Sequence, residues 1–364
     1  MNWKLQVNCV AAVAFTSLGC SPSGQPSRNE EKSGETRPGP QAVPATFELE
    51  ALPLGLDSFA AKVPTDNPIT PAKVELGKHL FFDGRLSRDG TTSCASCHNP
   101  AKGWSDGQKS SKGISAQFGD KNSPTIVNRL FSTTQFWDGR AKSLEEQALG
   151  PIANPIEMGN TLEGMLSNLN LVAGYKSLFQ SAFGNETITA ERVAQAIASF
   201  ERTIVSGNSP FDHYEAGDKK AMSESAVRGL AIFKDNTKGR CSICHAGFNF
   251  TDEKFHNIGV GMDKLDWEKS HIGRFAVTKV DKDKGAQKTP TLRDVAASAP
   301  YMHDGSEDTL EAVVEYYARG GNPNPFLDPE MRKLTLTDQE KKDLVEFMKA
   351  LTGTVTQFTE PVNP

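Results

Sequence analysis

The sequence predicts a mainly α-helical protein assembled from two copies of one module, and three observations predict it. Amphipathic helix spacing recurs at 71–82, 161–182, 189–205, 223–234, 309–318 and 337–351, whereas alternating strand patterns are scarce. The segment Cys-x-x-Cys-His occurs twice, at Cys94 to His98 and at Cys241 to His245. Around the two copies the same landmarks fall in the same order, the mark of an internal repeat.

The first element is an address. Lys4 is followed by an apolar run from Val10 to Leu18, and Leu18-Gly19 leads to Cys20. That pattern predicts a bacterial lipoprotein signal over 1–19, with lipid added at Cys20; an ordinary signal peptide is the alternative. No other stretch approaches the ~20 apolar residues of a membrane helix. Residues 20–48, rich in Ser, Pro and Gly, read as a flexible linker. The chain of 364 residues then has room for two modules, 49–215 and 216–364, with folded sequence expected from about Asn67. A formal net charge of −5 points away from nucleic acid as a partner.

Each module opens on a helix, Thr70-Pro71 to Phe82 in the first and a helix carrying Gly229-Leu230 to Phe233 in the second. Each helix leads to its Cys-x-x-Cys-His. Downstream, Pro124-Thr125 is matched by Pro290-Thr291, and Asp138-Gly139 by Asp304-Gly305, each Asp 13 residues past its Thr. Leu144 and Leu310, six residues beyond those aspartates, each begin a further helix. The segment 206–220 bridges the halves.

Of the six cysteines, Cys9 lies in the signal and Cys20 ends it, leaving the pairs Cys94/Cys97 and Cys241/Cys244. Two thiols three apart on a helical turn can each form a thioether to one haem edge, and the next His can reach the iron. A thioredoxin-like redox pair or a zinc site explains one Cys-x-x-Cys but not a His after both. The fold class expected is therefore mainly α, two tandem cytochrome c-type domains, each with one covalently attached haem: Cys94, Cys97 and His98, then Cys241, Cys244 and His245.

The sixth iron position separates electron transfer from chemistry on a bound molecule. Tyr317 lies 13 residues past Asp304, and the same offset from Asp138 lands on Pro151, which has no side-chain donor atom. Tyr317 is thus expected on the second iron and an open face on the first. Tyr316, Met302 and His303 are rival ligands, and a core aromatic is the plainer role for Tyr317. An open iron that reduces peroxide needs a carboxyl shielded from water to move a proton. Glu157, six residues past Pro151, is a candidate, with Gln147 to hold peroxide; a solvated surface charge is the bland reading of Glu157. Trp137, before Asp138-Gly139, could relay electrons between haems or simply be core. His79 has no assigned task.

Together these residues resemble the bacterial dihaem cytochrome c peroxidases and MauG. The resemblance runs over about 66–353, carried by Leu76-Gly77-Lys78-His79-Leu80-Phe81-Phe82-Asp83, both haem motifs, Gln135-Phe136-Trp137-Asp138-Gly139-Arg140, Gly150-Pro151-Ile152 and Tyr301-Met302-His303-Asp304-Gly305. It implies a peroxide-reducing haem at His98 with Glu157 and Gln147, an electron-receiving haem at His245, and Trp137 between them. It also implies calcium held by Asn122, Ser298 and Pro300, where oxygen donors suit that ion. Electrons would come from a small periplasmic cytochrome c or a cupredoxin. There are two departures from the peroxidase pattern. No histidine occurs between His98 and Asn122, and Tyr317 stands where peroxidases carry Met. Both resemble MauG, so oxidation of a partner protein's side chains is the alternative activity, and a plain dihaem electron carrier a further one.

Overall fold

The computed structural model describes residues 51–356, 358–362 and 364. The expected signal at 1–19, the linker at 20–48 and the lipid site Cys20 lie outside the described residues.

The first module's helices are α1 (Pro71–Phe82), α2 (Cys94–Cys97), α3 (Leu144–Ala153), α4 (Leu162–Asn170), α5 (Ala173–Phe183) and α6 (Ala190–Glu201). After α7 (Pro210–Glu215) come α8 (Glu224–Lys234), α9 (Trp267–Ser270), α10 (Phe275–Thr278), α11 (Leu310–Ala318) and α12 (Asp338–Lys349). Strands are limited to two short antiparallel pairs, Ser206–Gly207 with Thr354–Val355 and Phe255–His256 with Gln287–Lys288.

Local chemistry starts these helices where the sequence suggests. Thr70 caps α1 by accepting from the Lys73 amide, with Pro71 in the first turn where its missing N–H costs nothing. Thr189, Ser223, Thr309 and Thr337 cap α6, α8, α11 and α12 in the same way. The segment 161–182, expected as one helix, is two. The chain turns at Leu171, which is 85 % exposed, so that Met165 and Leu169 on α4 and Tyr175 and Phe179 on α5 all reach the core. Packed structure also begins earlier than Asn67. Leu52, Leu56, Ala60 and Val63 pack against Leu130, Phe131 and Val205.

The repeat is visible in how helices cross. On α1, a Cβ at Gly77 would overlap the Ala196 carbonyl and stand 2.9 Å from Phe200 Cβ; on α8, a Cβ at Gly229 would overlap the Asp343 carbonyl and stand 2.8 Å from Phe347 Cβ. Both crossings need glycine because backbone meets backbone. They set the register: α1 corresponds to α8, and α6 to α12, with Phe200 equivalent to Phe347. One core gathers Leu76, Leu80, Phe81, Ile197 and Phe200, the other Leu230, Phe233, Leu344 and Phe347.

Among the ties that join the halves are a buried ion pair and the chain's return to the first half. Arg293 and Asp212, each 1 % exposed, form a bidentate ion pair with both N–O distances 2.9 Å. The last strand then returns the chain to the first half, where Phe358 packs on Phe200 at 4.9 Å and on Trp104 at 6.1 Å.

Candidate active site

Each Cys-x-x-Cys-His is a tight turn that hands its histidine to a fixed acceptor. The His98 amide donates to the Cys94 carbonyl at 2.9 Å, and His98 Nδ1 lies 3.3 Å from the Trp104 carbonyl. In the second half the His245 amide donates to Cys241 at 2.9 Å, and Nδ1 is 3.0 Å from the Phe250 carbonyl. A carbonyl can only accept, so in both rings Nδ1 carries the hydrogen and Nε2 presents a lone pair. Burial pushes His98 down to about 4 and lowers His245 as well, which keeps both rings neutral, the form that ligates metal.

The four cysteines are unpaired. Burial raises the thiols of Cys94, Cys97 and Cys241, Cys97 to about 11. A redox dithiol needs a lowered thiol pKa, and none of these three thiols has one. No cluster of three or more His, Cys, Asp or Glu suited to a metal ion occurs among the described residues. Free thiols beside a neutral imidazole are the groups that covalent attachment of a haem uses.

Around the second motif lies a cavity of about 220 Å³, lined by Cys241, Cys244, His245, Tyr317, Met302 and His303. Gln287 also lines it, and both its amide atoms are buried without a partner, as is Nε of the neighbouring Arg240. Orphaned polar atoms in an apolar cavity suit a large ligand with polar groups of its own. The residues therefore fit a haem.

Among the rival sixth ligands the surroundings differ. The Tyr316 hydroxyl donates to the Ile258 carbonyl at 2.9 Å, and Tyr316 does not line the cavity. His303 Nε2 is 2.9 Å from His271 Nδ1, so its outer nitrogen is engaged. Tyr317 lines the cavity with a hydroxyl that has no protein partner among the described residues, and burial pushes its pKa up.

In the first half, Pro151 sits in the last turn of α3, and Gln147 lies one turn before it. The Gln147 side-chain amide makes no hydrogen bond among the described residues, while its backbone N–H donates to the Ser143 carbonyl at 3.1 Å. Beyond the helix, Glu157 is half-buried, and its Oε1 accepts from Asn154 Nδ2 at 2.8 Å. Burial raises its pKa, partly offset by Arg140, and its charge is felt at the Cys97 thiol. Its backbone carbonyl takes the Ile114 amide at 2.8 Å, which pins the loop that follows the first motif.

Trp137 stands between the two regions. Its Nε1 donates to the Asn122 carbonyl at 2.9 Å, its ring lines the second cavity, and its neighbour Phe136 packs on Gly150 of α3. Asn122, Ser298 and Pro300 all line that cavity too. Asn122 Nδ2 donates to the Gln108 carbonyl at 2.7 Å, which leaves its oxygen as the outward group. His79 lies 3.3 Å from Glu75 through Nε2 while its Nδ1 is buried without a partner.

Three groups escaped the sequence. Lys288 is buried against Glu253 at 2.6 Å, beside Arg129. His256 is held between Asp252 at 3.0 Å and Asp328 at 2.7 Å. Glu201 is fully buried at the end of α6. Lys288 with Glu253 and His256 with Asp328 join residues far apart in sequence, and no local spacing announces them.

Comparison with known proteins agrees with this geometry. The family model for di-haem cytochrome c peroxidase matches residues 71–220. The methylamine utilization protein MauG of Methylorubrum extorquens is 43 % identical over 304 residues, 83 % of this chain and 84 % of that one. The cytochrome c551 peroxidase of Nitrosomonas europaea is 38 % identical over 329 residues, 88 % and 94 % of the two chains. Among solved structures, a MauG-like protein associated with microbial copper homeostasis superposes with a TM-score of 0.75 at 31 % identity, over 86 % of this chain and 95 % of that one. Twin haem-binding turns, a helical repeat and this degree of identity place the chain in the di-haem cytochrome c peroxidase and MauG family.

Proposed function

We propose that the chain is a peroxidase in which hydrogen peroxide, two electrons and two protons give two waters at the His98 side. The carrying observation is the asymmetry of the repeat: Pro151 stands where the second half has Tyr317, with the raised carboxyl of Glu157 and the side-chain amide of Gln147 nearby in the chain. Two covalently held haems would supply the iron that binds peroxide and the path for electrons.

The side chains divide the remaining work. His98 and His245 each present Nε2 because Nδ1 is tied to a carbonyl. Glu157, its pKa raised by burial, takes the first proton of peroxide as a carboxylate and returns it to the leaving oxygen. Gln147 orients peroxide with its amide. Tyr317 would hold the second haem's iron through its hydroxyl oxygen, and Trp137, at the cavity wall, would serve electron exchange. Asn122, Ser298 and Pro300 would hold a calcium ion through oxygen. Replacing Glu157 with Gln tests the reading: peroxide turnover should collapse with both haems still attached, and near-normal turnover would sink it.

A second reading, oxidation of side chains on a docked protein, is favoured by Tyr317 and by the absence of histidine between His98 and Asn122. Steady-state assay separates the two. Rapid peroxide consumption with a reduced small cytochrome c or cupredoxin supports the peroxidase; slow or absent turnover supports the modifier. A plain electron carrier would show only low-spin ferric signals. With either activity go two modules bounded at 49–215 and 216–364 and export to the periplasm with a lipid on Cys20. Among the described residues no helix is long and apolar enough to cross a membrane.

A further inference from the structure

Glu201 ends α6 with 3 % of its surface exposed, and its Oε2 is buried with no hydrogen-bond partner among the described residues. Such a group is costly unless something answers it. The neighbouring cations are committed elsewhere. Arg202 forms a bidentate pair with Glu145 at 2.7 and 3.0 Å and donates to the Lys62 carbonyl at 3.1 Å. Arg129 gives its hydrogens to Gln135 at 2.9 Å and to the Thr134 carbonyl at 3.0 Å.

The repeat says what Glu201 faces. Phe200 and Phe347 are equivalent, so Glu201 corresponds to Met348 on α12, and Met348 lines the cavity around His245. By that register Glu201 stands at the wall of the first haem's site, and its charge is felt at the Cys94 thiol. One half sets a thioether against its haem where the other sets a carboxyl.

We propose that Glu201 is a neutral carboxylic acid facing the haem held by His98, and that it gives up its proton when that haem is oxidised. This rests on the reading that His98 carries a haem. One electron leaves the iron for the acceptor, peroxide in turnover or an electrode in the test, and one proton leaves Glu201 for water. The physical cause is charge compensation. Oxidation adds a positive charge to a site shielded from solvent, and a new carboxylate at its wall cancels it.

The local field supports this. Burial pushes Glu201 up to about 8, Arg129 and Arg202 pull it partway back, and Glu145 from α3 adds to the rise. Lys73, on α1, faces Glu145 and Arg202 instead. Below that value the acid is protonated while the haem is reduced, and the positive charge added by oxidation weakens its hold on the proton.

The test is spectroelectrochemical titration of each haem in the holoprotein across neutral to alkaline pH. Below about pH 8 the wild-type first haem should fall in potential by about 59 mV per pH unit, the value of one proton per electron, and the slope should flatten above about pH 8, where Glu201 is already ionised. Glu201→Gln should flatten that slope, while Glu157→Gln should keep it. An unchanged slope in Glu201→Gln, or its loss in Glu157→Gln alone, would overturn the proposal. If Glu201→Gln fails to load haem, redox-difference infrared spectra of Glu157→Gln decide. A protonated-carboxyl stretch that disappears on oxidation supports the assignment, and its absence defeats it. Covalent haem content, halved by Cys94→Ala with Cys97→Ala if His98 carries a haem, separates failure of the site reading from failure of the Glu201 assignment.

Discussion

The rings of Trp137 and His303 stand 6.4 Å apart, tilted by 65°, and the two residues hold the same place in the two halves of the chain. Each precedes an Asp-Gly, at Asp138-Gly139 and Asp304-Gly305, and each follows a residue with positive φ, Phe136 at 68° and Met302 at 71°. The duplicated turn thus meets itself between the two motifs, with an indole from one copy and an imidazole from the other. Asn122 ties both, its carbonyl taking the indole N–H and its amide donating to the His303 carbonyl at 2.9 Å.

Trp137→Phe should therefore keep the packing and lose both the bond to Asn122 and the readily oxidised ring. Stopped-flow spectra should show slower electron exchange between the haems. Denaturation should show a loss of about 1 kcal/mol, that of one hydrogen bond.

For Glu157→Gln the expected loss of peroxide turnover is on the order of 10²-fold or more, the usual contribution of a positioned acid–base group. In the wild type, the limb of the pH profile that reports this group should lie above the usual carboxylate range, because burial raises its pKa. Proton abstraction needs the ionised form, so turnover should rise with pH through that limb. The limb should be missing from the variant.

Tyr317→Met replaces an oxygen donor by a thioether at the second haem. The midpoint potential of that haem should rise, since Met favours the reduced iron. An unchanged potential and spectrum would remove Tyr317 from the iron.

Asp212→Ala should cost about 3–5 kcal/mol in urea denaturation, because Arg293 would be left buried and unpaired. Burial alone would raise the Asp212 carboxyl, yet the bonds from Arg293 hold it below its ordinary value. The stability it contributes is present above the unfolded pKa of about 3.9 and is lost as pH falls through the lower folded value. Acid unfolding of the wild type should show that loss, and the variant should lack it.

Gly229→Ala places a methyl into the Asp343 carbonyl where α8 crosses α12. A melting temperature lowered by an overpacking cost of about 1–3 kcal/mol or more is expected. Gly77→Ala should behave alike at the equivalent crossing.

Much of this is legible in the sequence. Helix caps and apolar spacing act over a few residues, so α1, α8, α11 and α12 lie where the pattern puts them, within two residues at their ends. The haem motifs are equally local. The break between α4 and α5 was not legible, because Val172 continues the apolar spacing of Met165 and Leu169 and no Gly or Pro stands between Asn170 and Ala173. The strap at Leu52 to Val63 was missed for a related reason: its few apolar residues make sense only against Leu130 and Phe131.

By itself the sequence determined the mainly helical class, the duplication, and the two cysteine pairs with their histidines, since each is written in spacings of a few residues. It also contained the asymmetry of Pro151 against Tyr317, because a repeat carries its own alignment. Only the tertiary structure decided which side chains face one another: Tyr317 rather than Tyr316 toward the cavity, Arg293 on Asp212, and Glu201 alone in the core of the first half. Those outcomes depend on burial and on contacts between segments up to scores of residues apart, where the cost of an unpaired polar group is set by the whole fold and not by its neighbours in the chain.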